Sequence, residues 1–239
     1  TIKRQRTASR SYVTIAAARS PEPNSLFVVD DLHGLARGAT LSICGSPRPM
    51  QRSGNRFALA VATSCEGNGF IRVDLAGGTL DCWPLHVFVG PCVTVNLSID
   101  VMTGARLEPL STSEIHLEVS DLNYKKTFPD LASLLASNDK ELCLVQAVLR
   151  HFQPKKGFKL RTSSQSPVGG GLGRSSSLCI SLIKAFLLLE GRHMGVYETV
   201  NLAHNIEAEV IKAPTGTQDY FPALVPGLNL IHYNAQGAR

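Results

Sequence analysis

Long hydrophobic runs are missing from this 239-residue chain. A membrane-spanning helix needs roughly 20 uninterrupted apolar residues. The best stretch, Leu178 to Leu189, is shorter and is broken by Ser181 and Lys184. No membrane span is predicted, and the chain reads as a soluble protein. Paired cysteines are missing as well. Cys44, Cys65, Cys82, Cys92, Cys143 and Cys179 contain no C-x-x-C pair, which excludes the common zinc spacings and a small secreted disulfide framework. A reducing cytoplasm is the expected compartment. Aromatic residues make up only 6% of the chain, and no acidic residue precedes Glu22. No internal repeat is visible.

The apolar content, 44% of residues, suffices for one large domain or two small ones. Disorder, collagen and coiled coil are excluded as descriptions of the whole. The net charge of +5 is unevenly placed. Residues 1–56 hold nine Lys/Arg against three Asp/Glu, whereas residues 57–239 hold fifteen against sixteen. A near-neutral body lacks the broad basic footprint of a nucleic-acid binder. The basic leader has few aromatics for stacking, chiefly Tyr12 and Phe27. Nucleic acid is therefore an unlikely partner. Residues 1–65 read as a basic extension with little structure, and residues 66–239 as the folded domain.

Within the domain, Phe70 to Leu75, Cys92 to Ile99 and Glu114 to Val119 alternate with period two and predict strands. Gly157 to Thr162 predicts a further short strand. Leu142, Val145 and Leu149 make an apolar stripe on a helix over 139–152. Two more helices are predicted over about 175–189 and 197–212, the second halted by Pro214 and Gly216. Strands first and helices later indicate an α+β domain.

The most informative stretch is Pro167-Val168-Gly169-Gly170-Gly171-Leu172-Gly173-Arg174-Ser175-Ser176-Ser177, which runs into an apolar helix. Glycines let backbone N–H groups close on an anion, and a helix N-terminus adds free N–H groups and its positive dipole end. The serines can cap the helix or give a hydroxyl to phosphate or metal. Two readings stand for the loop alone: a phosphate cradle, or a flexible Gly/Ser connection. A Walker loop is excluded because Arg174 follows Gly173 where Lys is required. A dinucleotide fold lacks its acidic residue at a strand end.

Glu207, on the helix over 197–212, and Asp219, beyond the turn Pro214 to Gln218, form a second constellation. Such a pair can serve one metal and one hydroxyl, as phosphoryl transfer requires. The alternative reading makes Glu207 an exposed helix residue and Asp219 an N-cap. His204, three residues before Glu207, reads as structural or solvent-facing rather than as a metal ligand.

Together these motifs resemble the GHMP kinase superfamily, and within it the sugar branch of heptose 7-phosphate kinases and fucokinases. The glycine-rich loop starting at Pro167, the helix Glu207 followed by Gly216-Thr217-Gln218-Asp219, and the opening strand Arg72-Val73-Asp74-Leu75-Ala76-Gly77-Gly78-Thr79-Leu80-Asp81 match in order. Leu228-Asn229-Leu230 is similar to a further strand start of that branch. The resemblance covers about residues 69–239. It implies the family's N-terminal domain, with a mixed or antiparallel sheet and helices on one side, and no C-terminal domain. It also implies an ATP- and Mg²⁺-dependent kinase acting on a hydroxyl of a sugar or sugar phosphate; a catalytically silent sugar or nucleotide sensor is the alternative.

By that resemblance, Pro167, Gly169, Gly170, Gly171, Leu172, Gly173, Arg174, Ser175, Ser176 and Ser177 would surround the ATP phosphates. Ser175 and Glu207 would hold Mg²⁺, and Asp219 would orient or deprotonate the acceptor. Asp81, Gly77, Gly78, Gly216 and Gln218 would face the substrate, with Asp81 bonding sugar hydroxyls. Arg174 and Leu80 depart from the family pattern, each standing where Ser or Thr is usual.

Overall fold

A computed structural model describes residues 64–167, 170–235 and 237–238. The extension expected at residues 1–65 lies outside the described residues except for Ser64 and Cys65. Val168 and Gly169 of the glycine-rich loop lie outside them too.

The described strands are β1 (Cys65–Ala76), β2 (Cys92–Pro109), β3 (Ile115–Val119), β4 (Tyr124–Phe128), β5 (Phe158–Ser164), β6 (Leu228–Asn234) and β7 (Gly237–Ala238). The helices are α1 (Leu85–Val89), α2 (Leu131–Leu135), α3 (Cys143–Phe152), α4 (Arg174–Leu189), α5 (Val196–Ile211) and α6 (Tyr220–Leu224). The expected strands and long helices are all present. β4, α1, α2 and α6 are additions, each only five residues long and too short for a clear period.

The sheet is organised by β2, which is 18 residues long. β1 lies antiparallel along one edge of it. On the other edge, β5 pairs with residues 103–109 and β6 with residues 92–97. β3 runs parallel to β5 and antiparallel to β4. The result is a mixed sheet, as the α+β reading expects.

α4 and α6 pack on one face of the sheet, and α3 and α5 pack against α4. Inward residues alternate along the strands, as in Ile115, Leu117 and Val119, or Phe158, Leu160 and Thr162. α4 crosses β1 at close range. A Cβ on Gly69 would lie 2.7 Å from the Ser177 carbonyl oxygen, so only glycine permits this approach. A buried hydroxyl cluster closes the seam, with Thr103 Oγ1 2.8 Å from both Ser177 Oγ and Ser181 Oγ.

Buried positions alternate along β1 from Cys65 to Ile71, and Arg72, next to Ile71, is buried as well.

The core centres on Phe186, which is fully buried. Its ring stacks on Phe152 at 5.2 Å and meets Phe158 edge-on at 5.6 Å. Phe186→Ala removes that burial and leaves a cavity. We expect a loss of about 3–5 kcal/mol in urea unfolding; a loss below ~1 kcal/mol would show that the core lies elsewhere.

Candidate active site

The glycine-rich loop enters α4 through Gly171 and Gly173, at φ +67° and +69°. Both values lie in the left-handed region that favours glycine. The first backbone bond of the helix runs from the Ser177 N–H to the Gly173 carbonyl at 3.0 Å. The N–H groups of Arg174, Ser175 and Ser176 thus lie in the first turn, without helical partners. Ser175 is exposed, whereas Ser176 and Ser177 are buried. Arg174 forms an ion pair with Asp121, so its guanidinium is already engaged. What it offers the loop is its backbone N–H.

Glu207 is only 6% exposed, which removes the reading of an open helix face. Its Oε2 accepts from Ser176 Oγ and from the Tyr220 hydroxyl, each at 2.7 Å. Ser176 is thus its direct partner at the start of α4. Asp219 does precede a helix, α6, but makes no side-chain cap there. It pairs with Arg72 instead.

Arg72 ties the site together. Its Nε and one terminal nitrogen reach Asp219 Oδ1 at 2.9 and 2.8 Å. That same terminal nitrogen reaches Asp74 Oδ2 at 3.0 Å, and the other terminal nitrogen donates to the Gly171 carbonyl at 3.0 Å. One guanidinium therefore spans the glycine-rich loop and the Asp219 turn. The contact is confirmed from Gly173, where an added Cβ would lie 3.2 Å from Asp219 Oδ2. The motif containing Arg72 was visible in the sequence, but its bridging role was not. An Arg on the strand preceding a Gly-Gly turn was the available signal.

Burial pushes the Asp219 pKa up to about 6, the Arg72 cation opposes the rise, and the Asp74 and Asp81 carboxylates add to it. A carboxyl poised there can accept a proton near neutral pH.

The five expected substrate residues gather around the same turn. Asp81 is 3% exposed and accepts the Gln218 N–H at 2.9 Å. A methyl on Gly216 would run into that carboxylate. In this structure Asp81 holds the turn through Oδ2. Asn96 Nδ2 donates to the Gln218 carbonyl at 3.1 Å. A Cβ on Gly78 would sit 3.7 Å from Gln218 Nε2, and Gly77 turns the chain at φ +79°. His204 Nε2 donates to the Thr215 carbonyl at 3.0 Å, a structural role as expected.

Among the described residues, no three His, Cys, Asp or Glu side chains converge as a metal site. The oxygen donors present are nonetheless of the hard type that suits Mg²⁺. Ser175 offers an exposed hydroxyl at the start of α4, and Ser176 brings Glu207 to the same end of that helix. A separate concavity on the open sheet face, near Arg106, Glu118, Lys125 and Arg161, is distant from this chemistry. Its charges pair with one another at 3.1–3.6 Å, as on a solvated surface.

The family model for the GHMP kinases N terminal domain matches residues 141–227, which include the loop, Glu207 and Asp219. Over these residues the chain is similar to the GHMP kinase N-terminal domain. It is 29% identical over 178 residues to the D-glycero-alpha-D-manno-heptose 7-phosphate kinase of Campylobacter jejuni, covering 68% of this chain and 49% of that protein. It is 26% identical over 133 residues to the mevalonate kinase of Methanocaldococcus jannaschii, covering 52% and 43%. The chain thus spans about half the length of the curated relatives it matches. The structure resembles the D-glycero-D-manno-heptose 1-phosphate kinase from Bacteriodes thetaiotaomicron at a TM-score of 0.66 and 25% identity, covering 73% of this chain and 58% of that one. A sugar kinase structure from Campylobacter jejuni gives 0.58 and 26%, covering 72% and 55%. These similarities support the sugar branch of the GHMP kinases. No helix among the described residues is long and apolar enough to cross a membrane.

Asp81→Ala strips the buried Gln218 N–H of its acceptor. It should cost roughly 1–3 kcal/mol of stability. It should also lower the Asp219 pKa, because a neighbouring negative charge is lost. Carboxyl carbon NMR titration reads the second effect, and an unmoved Asp219 midpoint would show that the Asp81 charge does not act on it.

Proposed function

We propose that this domain transfers the γ-phosphoryl group of ATP to a hydroxyl of a sugar or sugar phosphate. The observation that carries this reading is the Arg72 bridge. It holds a phosphate-type loop and a proton-accepting carboxylate within the span of one side chain. The heptose phosphate kinases among the similar proteins support a sugar phosphate as acceptor.

In this reading the free N–H groups at the start of α4, with Gly171 and Gly173, receive the nucleotide phosphates. Ser175 and Glu207 would hold Mg²⁺, which when bound neutralises charge on the phosphate oxygens. Asp219 lies against Gly173 and takes the proton of the acceptor hydroxyl. The acceptor oxygen bonds to the γ-phosphorus as the bond from that phosphorus to the β-bridging oxygen breaks, releasing ADP. Arg72 keeps Asp219 aimed at the loop and favours its ionised form. Phosphoryl transfer depends mainly on such positioning and charge complementarity.

Asp219→Asn keeps the shape and an acceptor for Arg72 while removing the base. It should fold normally yet lose acceptor-dependent ADP formation by at least ~100-fold; unchanged turnover would sink the assignment. The acceptors to test are heptose 7-phosphate, fucose, galactose and mevalonate.

The pH profile gives a second test. Because the base works ionised, kcat/KM should rise with pH through about 6. The sign for stability is opposite. An acid with a folded pKa above its ordinary 3.8 binds protons more tightly when folded. Its contribution to stability is therefore greatest in acid and declines between about pH 4 and 6. A kcat/KM profile flat across that range would remove Asp219 as the base.

A further inference from the structure

Glu207 is buried between α4, α5 and α6, and its two partners are neutral hydroxyls, both on Oε2. Burying a carboxylate is costly unless its oxygens are well bonded. Tyr220 supplies one of these bonds from a fully buried position, immediately after Asp219. Its ring also meets His204 edge-on at 6.5 Å, and His204 holds the Thr215 carbonyl. The turn bearing Asp219 is thus pinned to α5 on both sides, at Thr215 and at Tyr220. The Tyr220 hydroxyl is the donor in its bond to Glu207, since the carboxylate oxygen can only accept.

We propose that Tyr220 is a positioning residue for divalent-cation binding: with Ser176 it fixes Oε2 of Glu207, so that the other oxygen, Oε1, is offered to a cation at the start of α4. The inference rests on the kinase reading above. It also makes one network responsible for the cation ligand and for the placement of Asp219, because Tyr220 and Asp219 are adjacent in the chain. Partners that orient a metal ligand commonly matter 10- to 100-fold in metal affinity.

Tyr220→Phe keeps the buried ring and removes only the hydroxyl. The readout is equilibrium binding of ATP to the full chain, once with excess Mg²⁺ and once with EDTA. In the wild type, Mg²⁺ should tighten ATP binding. In Tyr220→Phe the ratio of the two affinities should shrink by about 10-fold or more, with binding in EDTA little changed. A merely structural tyrosine would lower the melting temperature and leave the ratio alone, which would overturn the proposal. A normally melting variant that binds ATP in neither condition would also overturn it, since Tyr220 would then support the loop itself. Ser176→Ala breaks the same bridge from its other end and decides the matter if Tyr220→Phe does not fold. Its ratio should shrink likewise, and an unchanged ratio counts against the proposal. Failure of the kinase reading looks different: wild-type protein would bind ATP in neither condition.

Discussion

Everything in this site depends on one guanidinium. Arg72 is 8% exposed and spends its donors on Asp219, Asp74 and the Gly171 carbonyl. Arginine suits the task because its planar fork directs several donors at once and keeps its charge when buried. A lysine at this place would supply one point charge and could not span loop and turn with the same geometry. The cation also offsets part of the mutual repulsion of Asp74, Asp81 and Asp219. Without it, the Asp219 carboxyl would hold its proton more tightly still.

The rest of the fold delivers partners to that cation. The long strand β2 lets β1 lie along one edge while β5 and β6 share the other, which brings the start of the glycine-rich loop and the end of the Asp219 turn to neighbouring positions. Glycines 173 and 216 keep the loop and turn close to the carboxylates of Asp219 and Asp81. α5 adds a second set of ties through His204 and Glu207. The departure at Arg174 is absorbed locally by Asp121, which leaves the first turn of α4 with its backbone donors.

Much of this was legible in the sequence. Alternation along β1, β2 and β3 and the apolar stripe of α3 follow from burial of a single face, so they leave a period in the chain. The glycine-rich loop, Glu207 and Asp219 were legible as residue types suited to phosphate, metal and proton. Three things were not. The role of Arg72 depends on contacts with Gly171 and Asp219 far along the chain, and strand periodicity carries no record of them. The pairing of Glu207 with Ser176 and Tyr220 depends on how three helices meet. The contact of Asp81 with Gln218 is set by a turn 137 residues away. Local pattern records which face is buried, and these contacts are long-range.

The most direct test of a single shared site is Arg72→Met, a substitution of similar length without charge or donors. ATP affinity and acceptor-dependent ADP formation should be measured side by side on the same preparation. The expected result is that both fall, turnover by ~100-fold or more, because loop and base lose their common anchor together. Normal nucleotide affinity with normal turnover would mean that the two halves work independently of Arg72, and would contradict the bridge as the basis of the site.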